Sequence, residues 1–146
     1  MTDDDTVLLM KRTFDATPED VFDAWLTRDR WSVWIGPEGM DCEVTLLEPH
    51  VGGRYQIDMH LSDGSRIPVS GVFETIDRPH TLRFTWGWHG DPTKQSVITL
   101  NFSAAGEKTA FTLRQEGLGS IANCDDHERG WSSALKKLDR FLRGEL

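Results

Sequence analysis

Cysteine is scarce. Cys42 and Cys124 are the only two in 146 residues, far apart and without CxxC spacing. No disulfide framework is implied, and both are expected to be reduced thiols in a cytoplasmic protein. Long apolar runs are missing as well: none approaches the ~20 residues that a membrane helix needs. The first residues lack a basic stretch followed by an apolar one, so no secretory signal is expected. Positive charge is short. Sixteen Lys and Arg stand against 24 Asp and Glu, a net charge of -8. Phosphate binding needs clustered bases, so neither nucleic acid nor an anionic membrane surface is an expected partner. Part of the acidity comes from Asp3-Asp4-Asp5, read as a solvated tail within a flexible 1–6 segment.

Catalytic and metal signatures are missing too. The five histidines, His50, His60, His80, His89 and His127, form neither HxH nor HExxH. Asp58 and His60 share a strand face, but it is the polar one. No GxSxG elbow is present. Cys42 has the parity of a small core residue. Cys124 sits near a helix start, yet Asp125 and Asp126 oppose a lowered thiol pKa. Gly52-Gly53 and Gly117-x-Gly119 lack the strand-loop-helix setting of a phosphate cradle, so no nucleotide cofactor is expected. No cofactor or metal is expected at all.

What is present is aromatic: six Trp and seven Phe in an otherwise ordinary soluble composition, 38% hydrophobic and 27% charged. The length fits one domain, residues 1–146. Its strongest periodic signal is the last one. Trp131, Leu135, Leu138 and Leu142, widened by Ala134 and Phe141, follow the period of one helix face. This predicts a helix over Asp125–Leu142, with Asn123 as its cap and Gly144 as its stop. Glu128, Arg129, Ser132, Ser133, Lys136, Lys137, Asp139 and Arg140 form the face expected to be solvated. Gly117 to Ala122 reads as a flexible link.

Upstream, Val7–Phe14 reads as a strand. Thr17-Pro18 starts a short helix carrying Val21, Phe22, Trp25 and Leu26, and Thr27–Trp34 reads as a second. From Met40 the period becomes two. Cys42, Val44 and Leu46 share a face, as do Tyr55, Ile57, Met59 and Leu61. The strand Arg66–Ile76 contains Gly71, which implies a bulge or bend. Leu82, Phe84, Trp86 and Trp88 share a face of Thr81–Trp88. Turns are expected at Ser62–Ser65, Asp77–His80 and His89–Pro92. Ser96–Ser103 and Thr109–Glu116 close a last hairpin. The expected class is therefore α+β. A curved antiparallel sheet of about seven strands wraps a long C-terminal helix, with two short helices after the first strand. The gap between sheet and helix is the natural ligand pocket.

Asp15-Ala16-Thr17-Pro18-Glu19-Asp20-Val21-Phe22-Asp23-Ala24-Trp25 resembles the opening of the SRPBCC, or START-like, superfamily. Trp34-Ile35-Gly36-Pro37-Glu38-Gly39-Met40, Gly52-Gly53-Arg54-Tyr55 and Gly71–Ile76 resemble one branch of it. So do Leu82–Trp86 and His127-Glu128-Arg129-Gly130-Trp131. That branch is related to the C-terminal domain of the activator of the 90-kDa heat-shock-protein ATPase. The resemblance departs at Ile35, where a second Trp is usual, and at Pro79, where Pro-Pro is usual; an additional N-terminal domain of the co-chaperones has no counterpart here. It implies a helix-grip fold with an internal cavity, and the superfamily includes lipid carriers, hormone receptors and cyclases.

Tyr55, Met59, Phe84, Trp86, Trp88, Trp131 and Leu135 are expected to converge on that cavity and bind an apolar or aromatic small molecule. Two other readings stay open. Arg12, Glu74 and Gln115 would form a cyclase- or hydratase-like polar set if all three faced inward. A chaperone-accessory module is the third, with homodimerisation through an exposed sheet edge also allowed.

Overall fold

The computed structural model describes residues 7–88 and 95–146. The expected acidic tail and the His89–Pro92 turn lie outside them. The elements follow in the order β1 (Leu8–Phe14), α1 (Pro18–Leu26), α2 (Arg28–Trp34), β2 (Asp41–Leu47), β3 (Arg54–His60), β4 (Arg66–Asp77), β5 (Thr81–Trp88), β6 (Gln95–Ala105), β7 (Lys108–Glu116) and α3 (Ile121–Leu142). The seven strands form one antiparallel sheet in the order β1-β7-β6-β5-β4-β3-β2. From β2 to β7 it is a meander of sequential neighbours, and β1 joins at the β7 edge. The two short helices fill the connection between the edge strands β1 and β2, so they sit across the open side of the curved sheet. This is the α+β arrangement read from the periodicities.

Local chemistry explains the boundaries. The Thr17 hydroxyl accepts from the Asp20 N–H, and Pro18 occupies the first turn of α1, where a missing N–H costs nothing. The long helix starts four residues earlier than its apolar stripe predicts. Ser120, not Asn123, is the cap, and it accepts from the Asn123 N–H at 3.1 Å. Asn123 instead donates its side-chain amide to the Leu118 carbonyl. Ile121 and Ala122 thus belong to the helix rather than to a link. They carry no core contact, which is why periodicity alone does not find them.

Two irregularities bend the sheet. β2 shifts register against β3 between Val44 and Leu46, so Leu46 turns outward and Leu47 packs on the core. β4 shifts against β5 between Phe73 and Thr75. The bulge therefore lies at Glu74, three residues beyond Gly71. The glycine has another reason. A Cβ there would stand 2.0 Å from the Thr85 carbonyl oxygen. Tyr55 lies directly opposite Gly71 in the ladder, and its hydroxyl donates to that same carbonyl. A side chain at position 71 would break this crossing.

The core is one cluster between the sheet's concave face and the three helices. One residue expected on the solvated face of α3 belongs inside: Lys137 is buried, and its ammonium donates to the Gly36 carbonyl at 3.3 Å. Its neighbours Ser132 and Ser133 are half-buried, holding Arg12 and the Glu38 N–H. The helix grips the sheet over more of its circumference than its apolar stripe covers.

Candidate functional site

Aromatic side chains run through the core as a connected seam. Phe22 meets Phe102 at 5.1 Å between ring centroids, Phe102 meets Phe111 at 5.5 Å, and Phe111 stacks on Trp25 at 6.0 Å. Trp25 meets Trp131 at 5.8 Å, Trp131 meets Trp86 at 5.1 Å, and Trp86 meets Trp88 at 5.9 Å. Trp88 meets the His127 ring at 5.7 Å. At the Trp25 end, α1 and α2 close over the seam with Trp31 and Trp34. At the Trp88 end neither α1 nor α2 closes over it, and only the N-terminal half of α3 faces it.

That end opens into a pocket of about 400 Å³. Ile35, Gly36, Pro37 and Met40 line it from the segment after α2; Met59 and Ile67 from β3 and β4; Trp86 and Trp88 from β5. The N-terminal half of α3 supplies Asn123, Asp126, His127, Gly130, Trp131 and Ala134, spaced by helix turns along one face. The volume falls within the range of small-molecule sites, and the lining is almost entirely apolar, as such sites are. Gly36 has a φ of +89°, and a Cβ there would stand 2.4 Å from the Cys42 sulfur. Gly130 is a different case. It lies inside a helix, and a Cβ added to it would meet nothing within 4 Å. Packing does not require a glycine there, although glycine in a helix interior costs ~1 kcal/mol against alanine.

Polar groups on the lining residues are few; the Trp86 indole N–H is buried without an acceptor among the described residues, and the others discussed below are engaged. The Trp88 indole N–H donates to His127 Nε2 at 3.0 Å. Because Nε2 accepts, Nδ1 carries the proton and donates to the Asn123 carbonyl at 2.8 Å. Burial pushes the imidazole pKa below its usual value, against the opposing pulls of the Asn123 carbonyl and Asp126. The ring is thus held as a neutral tautomer. Asp126 is exposed and pairs with Arg129. Deeper in, the Trp131 indole N–H donates to Gln115 Oε1 at 2.9 Å. Gln115 Nε2 donates to the Ser96 hydroxyl at 2.8 Å, and Ser96 donates to the Trp86 carbonyl at 3.2 Å. This buried chain ties α3 to three adjacent strands and fixes the Trp131 ring.

Of the seven residues expected to meet at the cavity, Met59, Trp86, Trp88 and Trp131 line the pocket. Tyr55, Phe84 and Leu135 do not. At 1%, 0% and 1% exposure they lie in the closed core behind it. Strand parity gives Tyr55 and Phe84 the correct face but not their position along the sheet. Ile35, Met40, Ile67, His127 and Gly130 were missed as pocket residues. An isolated glycine inside a helical pattern was the available signal for Gly130. His127 stands on the same helix face as Trp131, four residues earlier.

The polar set Arg12, Glu74 and Gln115 is not brought together. Gln115 is buried, Arg12 reaches Ser132, and Glu74 lies outside, paired with Arg83 at 2.9 Å. Alternation along β4, with Val69, Gly71 and Phe73 turned inward, places it there. The Cys42 thiol is pushed up to about 11 by burial, with Lys137 opposing. That of Cys124 is raised by burial and Asp125. Neither is an activated nucleophile. Among the described residues no group of three or more His, Cys, Asp or Glu could hold a metal, and no helix is long and apolar enough to cross a membrane.

A seven-stranded sheet closed around a long C-terminal helix, with two short helices between its edge strands, defines a helix-grip domain. This chain belongs to the Activator of Hsp90 ATPase homolog 1-like protein family, whose model matches residues 15–143. The AHSA1 protein of Silicibacter pomeroyi is similar in structure, with 29% identity, a TM-score of 0.80, and 96% of this chain and 99% of that one covered. A Chromobacterium violaceum protein matches with a TM-score of 0.88 at 22% identity, over 97% and 99% of the two chains. An Arthrobacter aurescens protein matches with a TM-score of 0.87 at 22% identity, over 99% and 90%. No protein among those with curated descriptions matches the chain.

Proposed function

We propose that this protein binds a small, predominantly apolar molecule between the sheet and the N-terminal half of α3. The observation that carries this reading is the pocket: about 400 Å³, walled by Met40, Met59, Trp86, Trp88 and Trp131, beside the buried core. Gly130 supports it, since this pocket-lining position forgoes a stabilising side chain although a Cβ there would meet only open space. Tryptophan and methionine suit the role. The first presents a flat apolar surface, the second an adaptable one. No polar set inside the pocket provides an acid–base pair, so the activity is carriage or sensing of a ligand rather than its conversion. The protein acts in the cytoplasm, in keeping with its two thiols.

Native mass spectrometry and a thermal-shift screen against lipids and aromatic compounds test the proposal. Ligands that raise the melting temperature, with the shift abolished by Gly130→Leu, are the expected outcome. A screen without a shift in the wild-type protein would sink it. A second reading comes from the family's description alone: an accessory role on a chaperone ATPase. Co-purification with the 90-kDa chaperone, and stimulation of its ATPase, would favour that role; failure of both would remove it.

A further inference from the structure

The pocket wall holds one pair of polar atoms that satisfy each other and nothing else in it: the Trp88 Nε1–H donor and the His127 Nε2 acceptor, 3.0 Å apart. They belong to different elements, the end of β5 and the second turn of α3. Their bond therefore bridges sheet and helix beside the pocket. His127 Nε2 is an acceptor because Nδ1 is committed to the Asn123 carbonyl. Asp126 is paired with Arg129 outside, the Asn123 amide is held by the Leu118 carbonyl and the Trp131 N–H by Gln115, and the Trp86 N–H is buried away from solvent; the other lining side chains offer carbon and sulfur.

Resting on the ligand-binding reading above, we infer that the pocket selects an uncharged apolar molecule carrying one hydroxyl group, which replaces the direct Trp88–His127 bond as the two nitrogens part from 3.0 Å to admit it. A hydroxyl satisfies both atoms through a single oxygen. Its oxygen accepts from the indole N–H, and its proton goes to the imidazole nitrogen. A carbonyl or ether would take the indole N–H and leave the imidazole acceptor buried without a donor. An ammonium would do the reverse. A carboxylate would bring an unpaired negative charge into an apolar space beside Asp126. A plain hydrocarbon fits the walls but leaves the Trp88–His127 bond closed across part of the site. His127 and Trp88 are thus specificity-determining residues, whereas Met40, Met59, Trp86 and Trp131 supply the apolar contact.

Isothermal titration calorimetry with three probes of one ring system tests this: 2-naphthol, naphthalene and 2-naphthoate. The wild-type protein is expected to bind 2-naphthol about tenfold more tightly than naphthalene, the worth of one hydrogen bond satisfied at both ends. It is expected to bind 2-naphthoate more weakly than either. In His127→Phe and in Trp88→Phe the naphthol preference should fall to within twofold of unity while naphthalene binding persists. His127→Gln, which restores an acceptor, should recover part of the preference. Equal affinity of the wild-type protein for naphthol and naphthalene, or naphthoate binding as tight as naphthol, would overturn the hydroxyl inference and leave the apolar-ligand reading standing. Absence of binding by all three would overturn both. Trp88→Phe keeps a ring at a half-buried position, so it provides the comparison even where His127→Phe fails to fold.

Discussion

The two ends of the aromatic seam are built from the same residue types and do different things. At the closed end Trp25, Trp31 and Trp34 are at 0%, 1% and 0% exposure, packed among Phe22, Phe84 and Phe111. Trp34 donates to the Ala24 carbonyl, whereas Trp25 and Trp31 bury indole N–H groups without an acceptor among the described residues. Both meet an aromatic neighbour edge to face, Trp25 with Trp34 and Trp31 with Phe84. At the open end Trp88 and Trp131 each have a specific acceptor, His127 and Gln115, while Trp86 between them buries its N–H without one among the described residues, and the three rings border empty space. The lesson is that aromatic richness alone does not mark a site. What distinguishes the ends is whether the two short helices close over the seam. α1 and α2 cover one end. A glycine in α3 leaves room at the other.

The comparison breaks first at its closed end. Trp25→Ala removes a ring at the centre of a packed cluster and should cost ~3–5 kcal/mol in urea unfolding. Trp88→Ala, at a half-buried position, should cost clearly less while weakening ligand binding. Equal stability losses would mean that the two ends are not energetically distinct. Next comes Trp131→Phe. It keeps an aromatic ring but leaves Gln115 Oε1 buried without its donor, at ~1–3 kcal/mol by the same measurement. Trp131→Phe together with Gln115→Leu should recover part of that loss, because the orphaned acceptor goes too.

Gly130→Ala reverses the sign. The protein should gain up to ~1 kcal/mol of stability, and affinity for any pocket ligand should fall. A destabilised Gly130→Ala protein would show that the space above the glycine is already filled.

The smallest effect is pH-dependent. The His127 pKa lies lower in the folded protein than the usual 6.5, chiefly through burial. The unfolded chain therefore binds the proton first. Stability is fully present above about 6.5 and declines as pH falls towards the folded value. Protonation also turns Nε2 into a donor facing the Trp88 N–H. Unfolding measured across this window should show a slope in the wild-type protein that is reduced in His127→Phe. An unchanged slope would assign it to other groups.

Much of the scaffold was legible in the chain. Thr17-Pro18 gave the first helix a defined start, and alternation located the strands. The spacing of Trp131, Leu135, Leu138 and Leu142 located the helix they wrap. The candidate site was half legible. Met59, Trp86, Trp88 and Trp131 were readable from parity, which reports the face of an element. Tyr55, Phe84 and Leu135 share that face but lie too far along their elements to reach the pocket.

The class of fold is written in local signals, because periodicity and capping are local and each turn or strand carries its own. Tertiary structure alone decided where the seam is open, that Glu74 leaves the interior, that Lys137 enters it, and that His127 meets Trp88. Each of these depends on register between strands and on which helix covers which part of the sheet. Those are contacts between residues far apart in the chain, for which a single sequence has no periodic signature.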